Sequence, residues 1–259
     1  MLEKEFKVES LTVRVYGDRR EMGMQAAEEV AIKINELLLQ QESINMIFAA
    51  APSQNEFLQS LREKNIDWSR IQAFHMDEYI ALPSSAPQLF GNFLRESIFG
   101  KVPFKSVYYL DGNATDIEDE MNRYAALLEK YPVDIVCMGI GENGHLAFND
   151  PPVANFNDPH LVKKVELDDA CRTQQVNDEC FEQKEQVPTH AITLTIPALM
   201  NARFAYVIVP GLKKAMAVHD TIYEPLVEAF PSSILRKHQH ATMFLDMDSV
   251  SGIDDLEVL

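Results

Sequence analysis

Val133-Asp134-Ile135-Val136-Cys137-Met138-Gly139-Ile140 is the stretch that decides the fold. It is short, almost continuously apolar and ends in glycine, the pattern of a strand buried on both faces of a parallel sheet. Upstream, residues 114–130 place Ile117, Met121, Tyr124, Leu127 and Leu128 on one side of a surface helix. The alternation continues outward in both directions. Strands are expected at 11–16, 44–51, 71–75 and 107–110 on one side, and at 191–195, 204–209 and 242–246 on the other. Between them, Asp18 can cap a helix carrying Met22, Ala26, Val30, Ile34 and Leu37. Further helices are expected at 54–64, near 213–222 and at 233–237. Strand–helix–strand repetition of this kind predicts an α/β fold: one domain over 1–259, with a mostly parallel, doubly wound (Rossmann-like) sheet and helices on both faces. The segment at about 151–188 is polar and reads as having little regular structure. A loop of that length in a compact domain is expected to be a lid.

Bulk composition narrows the function. With 259 residues and 46 % apolar content the chain can fill one sizeable core. Its formal charge of −17 repels polyanions, so nucleic acid is not an expected partner; no membrane partner is expected either. Three cysteines without CxxC spacing suit a reducing compartment. The opening MLEKEFKVES lacks a basic region followed by an apolar stretch, and no apolar run reaches membrane-span length. A cytoplasmic location is therefore expected.

In an open parallel sheet, ligands bind beyond the carboxyl ends of the strands, and three groups sit there. The first is Gly139-Ile140-Gly141-Glu142-Asn143-Gly144-His145-Leu146-Ala147-Phe148-Asn149-Asp150. Its glycines permit positive φ and close approach to a ligand, and His145 and Asp150 follow the turn. No GK[ST] closes the run, so it is not a P-loop, and no third glycine completes a dinucleotide fingerprint. The second group is Phe74-His75-Met76-Asp77-Glu78-Tyr79. Two adjacent acids after a strand suit a reacting carboxylate, a helix N-terminus or a metal site; no second cluster with metal-like spacing is apparent. The third is Ala49-Ala50-Ala51-Pro52-Ser53-Gln54-Asn55. It is a small-residue turn opening a helix: either an anion site lined by free N–H groups or simply a tight turn.

Taken together, these groups resemble the glucosamine-6-phosphate deaminase and isomerase family, which is related to the 6-phosphogluconolactonases. Met76-Asp77-Glu78-Tyr79 with Leu82-Pro83 and Pro87-Gln88 is similar to the family's MDEY…LP…P-[EQ] block. Residues 139–150 are similar to its G-x-G-x-[DN]-G-H-x-[AG]-F-N-[ED] block. Val187-Pro188-Thr189-His190-Ala191-Ile192-Thr193 and Ser233-Ile234-Leu235 with His238 resemble two later segments. The resemblance implies a reaction in which an amino-sugar phosphate is ring-opened, isomerised from aldose to ketose and stripped of its amine as ammonia, without metal or organic cofactor. His145 would open the ring, Asp77 would move the proton between C2 and C1, and Asp150 would orient His145. Asn143 stands where many relatives carry Asp. Ala51, Ser53, Gln54, Gly141, Gly144 and Lys214 are the expected substrate-binding residues.

Two recognition elements depart from the family. Its TG-[GS]-TP phosphate turn here reads Ala50-Ala51-Pro52-Ser53-Gln54, and Asn177 or Asp178 falls at the place of a phosphate-binding arginine. Lys214 keeps the position of a phosphate-binding lysine. Glucosamine 6-phosphate is thus expected to bind more weakly than to relatives with the full turn, with Gln54 and Asn55 reading sugar hydroxyls. Galactosamine 6-phosphate is the alternative substrate. A lactone hydrolase is disfavoured by Phe148-Asn149-Asp150, and a non-catalytic sugar-phosphate sensor by the retained Asp77, His145 and Asp150. The expected partner is a small amino-sugar phosphate; a homo-oligomer is left open.

Overall fold

The computed structural model describes residues 1–177 and 180–253. The chain opens with strands β1 (Leu2–Val8) and β2 (Leu11–Tyr16), then helix α1 (Arg19–Leu38), whose first turn is closed by the Asp18 carboxylate accepting from Glu21 N–H at 2.8 Å. Strand β3 (Ile44–Phe48) leads through a tight 3₁₀ turn into α2 (Asn55–Arg62). Next come β4 (Ile71–His75), β5 (Asp77–Tyr79), α3 (Phe90–Leu94), β6 (Ser106–Tyr108), α4 (Ile117–Lys130) and β7 (Ile135–Met138). Then follow β8 (Val162–Glu166), α5 (Asp169–Asn177), β9 (His190–Leu194), α6 (Ile196–Met200), β10 (Phe204–Val209), α7 (Ala215–Tyr223) and β11 (Ala241–Asp246).

Eight strands form one sheet in the order β1-β2-β11-β10-β7-β3-β4-β6, parallel except for β1, which runs antiparallel to β2. Because successive side chains of a strand point to opposite faces, β7 sends Ile135 and Cys137 into one core and Val136 and Met138 into the other. Helices α1, α2 and α3 cover the first face; α4, α6 and α7 cover the second. Each fully buried Val, Leu, Ile or Phe contributes about 1.5–3 kcal/mol, and such residues make up most of both cores, with Ala and Met filling much of the rest. From β3 the chain steps outward through β4 to β6; from β7 it steps the other way through β10 to β11. The connections diverge between β3 and β7, and there the loops at the strands' carboxyl ends leave a crevice.

A second, three-stranded antiparallel sheet, β5-β9-β8, stands beside that crevice. It corrects the expectation of little regular structure at 151–188, since β8 and α5 both lie there. Lys163-Lys164 interrupt the alternation of β8, and the buried face of α5 is Cys171, Gln174 and Gln175. A buried face made largely of amides leaves no hydrophobic stripe for a periodicity argument.

Candidate active site

The crevice is lined by the turn after β3 (Ala49 to Gln54), by Met76 and Asp77, by Gly139 to Gly141, and by His145, Ala147, Phe148 and Lys214; Gln174, Gln175 and Cys180 close one side. Two of the three groups singled out in the sequence thus contribute their expected reacting residues to one cavity, and the third supplies its wall.

His145 is held from behind. Its Nδ1 lies 2.9 Å from Asn143 Oδ1 and 3.0 Å from Asp150 Oδ1. Asn143 Nδ2 donates to Asp150 Oδ1 at 2.9 Å, and Asn143 Oδ1 also accepts from His145 N–H at 3.1 Å. Both neighbours present acceptor oxygens to Nδ1, so that nitrogen carries the proton and Nε2 is left as the basic atom. Burial pushes the Asp150 carboxyl up, but His145, Asn143 and the Cys171 thiol of α5 outweigh it and hold Asp150 below the usual carboxylate range. Asp150 is therefore a fixed negative charge behind the ring. In front, Gly141 lies flat against the imidazole: a Cβ there would stand 2.1 Å from Cε1. Gly144, at φ +80°, forms the turn and packs against Ser232, and is not among the residues that line the crevice.

Asp77 opens β5 and is buried. Burial first, then the charges of Glu78 and Asp150, raise its carboxyl well above the ordinary range. Its neighbour is differently employed. Glu78 accepts N–H bonds from Tyr79 (2.9 Å), Phe90 (3.0 Å) and Gly91 (2.8 Å), capping α3, while burial raises it to about 7. Glu78 thus takes up the helix-N-terminus reading of the acid pair, while Asp77 lines the crevice. Strand β9 ties Asp77 to the histidine loop: Thr193 is the register partner of Asp77, and its hydroxyl accepts Phe148 N–H at 3.1 Å. Asn149, fully buried, donates to the carbonyls of Leu146 and Leu194 at 2.8 Å.

In the third group, Ala51, Ser53 and Gln54 line the crevice and Asn55 does not. Gln54 Nε2 donates to Ile208 O at 3.1 Å and lies 3.2 Å from Ser53 Oγ, so this amide nitrogen braces β10. Asn177 ends α5, exposed and outside the crevice lining, and Asp178 lies outside the described residues. Among the described residues that line the crevice, Lys214 is the one lysine or arginine. Arg172 is turned away, onto the carbonyls of Lys184 and Val187.

Sequence reasoning missed the ties made by α5. Gln174 Oε1 accepts from Glu142 N–H at 3.0 Å, and Gln175 Oε1 accepts from Tyr79 O–H at 2.6 Å. Outside the crevice, His219, Asp220 and Glu224 bring ligand atoms within 4.8 Å of one another, a cluster the sequence did not suggest; Asp77 and Glu78 are not part of it. No helix among the described residues is long and apolar enough to cross a membrane.

Comparison with known proteins points the same way. A family model described as glucosamine-6-phosphate isomerases/6-phosphogluconolactonase matches residues 17–244. A glucosamine-6-phosphate deaminase of Bacillus thuringiensis (strain Al Hakam) is 36% identical over 218 residues, 84% of this chain and 81% of that protein. One from Bacillus cytotoxicus is 37% identical over 191 residues, covering 74% and 71%. Among solved structures, a monomeric glucosamine-6-phosphate deaminase superposes with a TM-score of 0.84 at 26% identity, over 93% of this chain and 99% of that one. A Thermotoga maritima 6-phosphogluconolactonase superposes at 0.75 with 19% identity, over 91% and 99%, a likeness of fold.

Proposed function

The chain belongs to the glucosamine-6-phosphate isomerase/6-phosphogluconolactonase family, and we propose that it is a glucosamine-6-phosphate deaminase, converting the amino sugar and one water molecule to a ketose 6-phosphate and ammonia. The observation that carries this reading is the placing of Asp77 and His145 in one crevice, with His145 Nδ1 held by Asn143 and Asp150 so that Nε2 is the basic atom. Ring opening needs a group that exchanges a proton with the ring oxygen, the role given to Nε2. Moving a proton from C2 to C1 needs a second base, the role given to Asp77. A buried carboxylate with a raised pKa also suits a substrate bearing an ammonium at C2, whose charge favours the ionised form. 6-Phosphogluconolactone bears a hydroxyl at C2 and supplies no such cation.

The assay is ammonia release from glucosamine 6-phosphate and galactosamine 6-phosphate side by side, with 6-phosphogluconolactone hydrolysis as the third arm. Faster release from the glucosamine compound is expected; lactone hydrolysis without ammonia from either sugar overturns the reading. We place the reaction in the cytoplasm, with a small sugar phosphate as the only partner it requires.

Lys214 is the proposed phosphate anchor, supported by its place at the crevice wall beside the altered turn after β3. A charge-assisted hydrogen bond is worth about 1.5–3 kcal/mol, so Lys214→Ala is expected to weaken glucosamine 6-phosphate binding roughly 10- to 150-fold. Calorimetric titration of both proteins checks this, and unchanged affinity removes Lys214 from the phosphate site.

The segment 151–188 is the proposed lid. Strand β8 is paired to β9 along its length, which narrows the moving part to the stretch around α5. Its amides are expected to exchange with solvent faster than those of β7 and β10, and slower exchange there contradicts a lid.

A further inference from the structure

We propose that His75 is a positioning residue for Asp77: a neutral imidazole strut that replaces the strand partner Asp77 lacks. Strand β5 is an edge of the three-stranded sheet. Leu194 N–H donates to Met76 O at 2.8 Å and Ile80 N–H to His190 O at 3.0 Å, so the bonded pairs fall at 76, 78 and 80. In an antiparallel ladder the residue between bonded pairs points its N–H and C=O the other way. The carbonyl of Asp77 therefore faces away from β9, where no strand meets it, and a buried carbonyl without a donor is costly.

His75, fully buried at the end of β4, fills that place. Its Nδ1 lies 2.9 Å from Asp77 O, and its Nε2 lies 2.9 Å from Leu110 N. A carbonyl can only accept and an amide N–H can only donate, so Nδ1 carries the proton and Nε2 does not. The ring is thereby fixed as one neutral tautomer, and burial, which lowers its pKa to about 4, keeps it so. The backbone of His75 is clamped as well: its N–H donates to the Tyr124 hydroxyl at 3.0 Å, and that hydroxyl donates to His75 O at 2.8 Å. The strut thus runs from α4 and the loop after β6 to the peptide that carries the reacting carboxylate. Displacement of a reacting group by about 1 Å costs on the order of 10²-fold in rate.

The kinetic test rests on the deaminase reading; the structural test does not. His75→Leu keeps bulk and removes both hydrogen bonds, whereas His75→Asn keeps one donor and one acceptor. For glucosamine 6-phosphate, His75→Leu is expected to lower kcat roughly 10- to 100-fold with KM changed less than about threefold, and His75→Asn to restore most of kcat. A general loss of packing would move both variants together in melting temperature and KM. Crystal structures of wild type and of both variants, each set against its melting temperature, decide the matter whatever the substrate proves to be. An Asp77 carboxylate displaced from its wild-type place relative to His145 in His75→Leu, and restored in His75→Asn, supports the strut. An Asp77 that stays in place in His75→Leu overturns it, as does equal kcat in all three proteins. If His75→Leu does not fold, the Asn variant decides alone: retention of the wild-type Asp77 position and kcat supports the strut, and loss of either overturns it. Absence of ammonia release from wild type would count against the deaminase reading and leave the crystallographic result standing.

Discussion

Asp77→Asn is expected to lower turnover of glucosamine 6-phosphate by roughly 10²–10⁴-fold, the usual contribution of a positioned base. The substitution preserves shape, so the backbone pairing of β5 with β9 and the bracing by His75 should survive and KM should change little. The pH dependence has a definite sign. A base works only when ionised, and burial, Glu78 and Asp150 all raise the Asp77 pKa. Activity of the wild type should therefore be present above that raised pKa and fall away as pH drops through it, at a higher pH than an ordinary carboxylate of about 3.9 would give. Once the substrate is bound, its ammonium favours the ionised carboxylate, so the acid limb of kcat should lie below that of kcat/KM. Wild-type turnover in Asp77→Asn would remove Asp77 from the mechanism.

Gly141→Ala is the second large effect. The added Cβ would stand 2.1 Å from His145 Cε1, 2.3 Å from Nδ1 and 2.4 Å from Nε2. No such contact can be accommodated, and the ring cannot retreat freely because Nδ1 is engaged by Asn143 and Asp150. Gly141 N–H also donates to His145 O at 2.9 Å, which ties the two residues' backbones together. Either the ring or the loop must shift, and a loss of about 10²-fold in kcat is expected. Gly17→Ala is the control, since a Cβ there meets nothing closer than 3.6 Å, and it should leave kcat and the melting temperature near wild type. If Gly141→Ala turns over as fast as wild type, proton exchange at the ring oxygen does not depend on His145 as placed here.

The parallel sheet was legible because its strands are apolar runs with a period or a length of their own. Strands β4 and β10 fall where the pattern puts them, and Asp18 caps α1 as its position suggests. Strand β1 was missed because Glu3, Lys4, Glu5 and Lys7 alternate in sign along an edge, and only Phe6 is buried. Helix α5 was missed because its contacts are made by Cys171, Gln174 and Gln175, which carry no hydrophobic signal. In the site, His145, Asn143 and Asp150 lie within eight residues of one another, so one loop displays the whole arrangement. Thr193 and His75 act through partners far along the chain, Phe148 at 45 residues and Leu110 at 35. Pairings of that range depend on sheet register, which local spacing does not record.

The central claim is that a proton leaves C2 and reaches C1, and that water then replaces the amine at C2 as ammonia leaves. Glucosamine 6-phosphate deuterated at C2 tests it most directly, with the products followed by NMR. The account predicts equal amounts of ammonia and ketose 6-phosphate, with the deuterium gone from C2 and recovered at C1 or in solvent. Ammonia released with deuterium still at C2, or no ammonia while 6-phosphogluconolactone is hydrolysed, would contradict it.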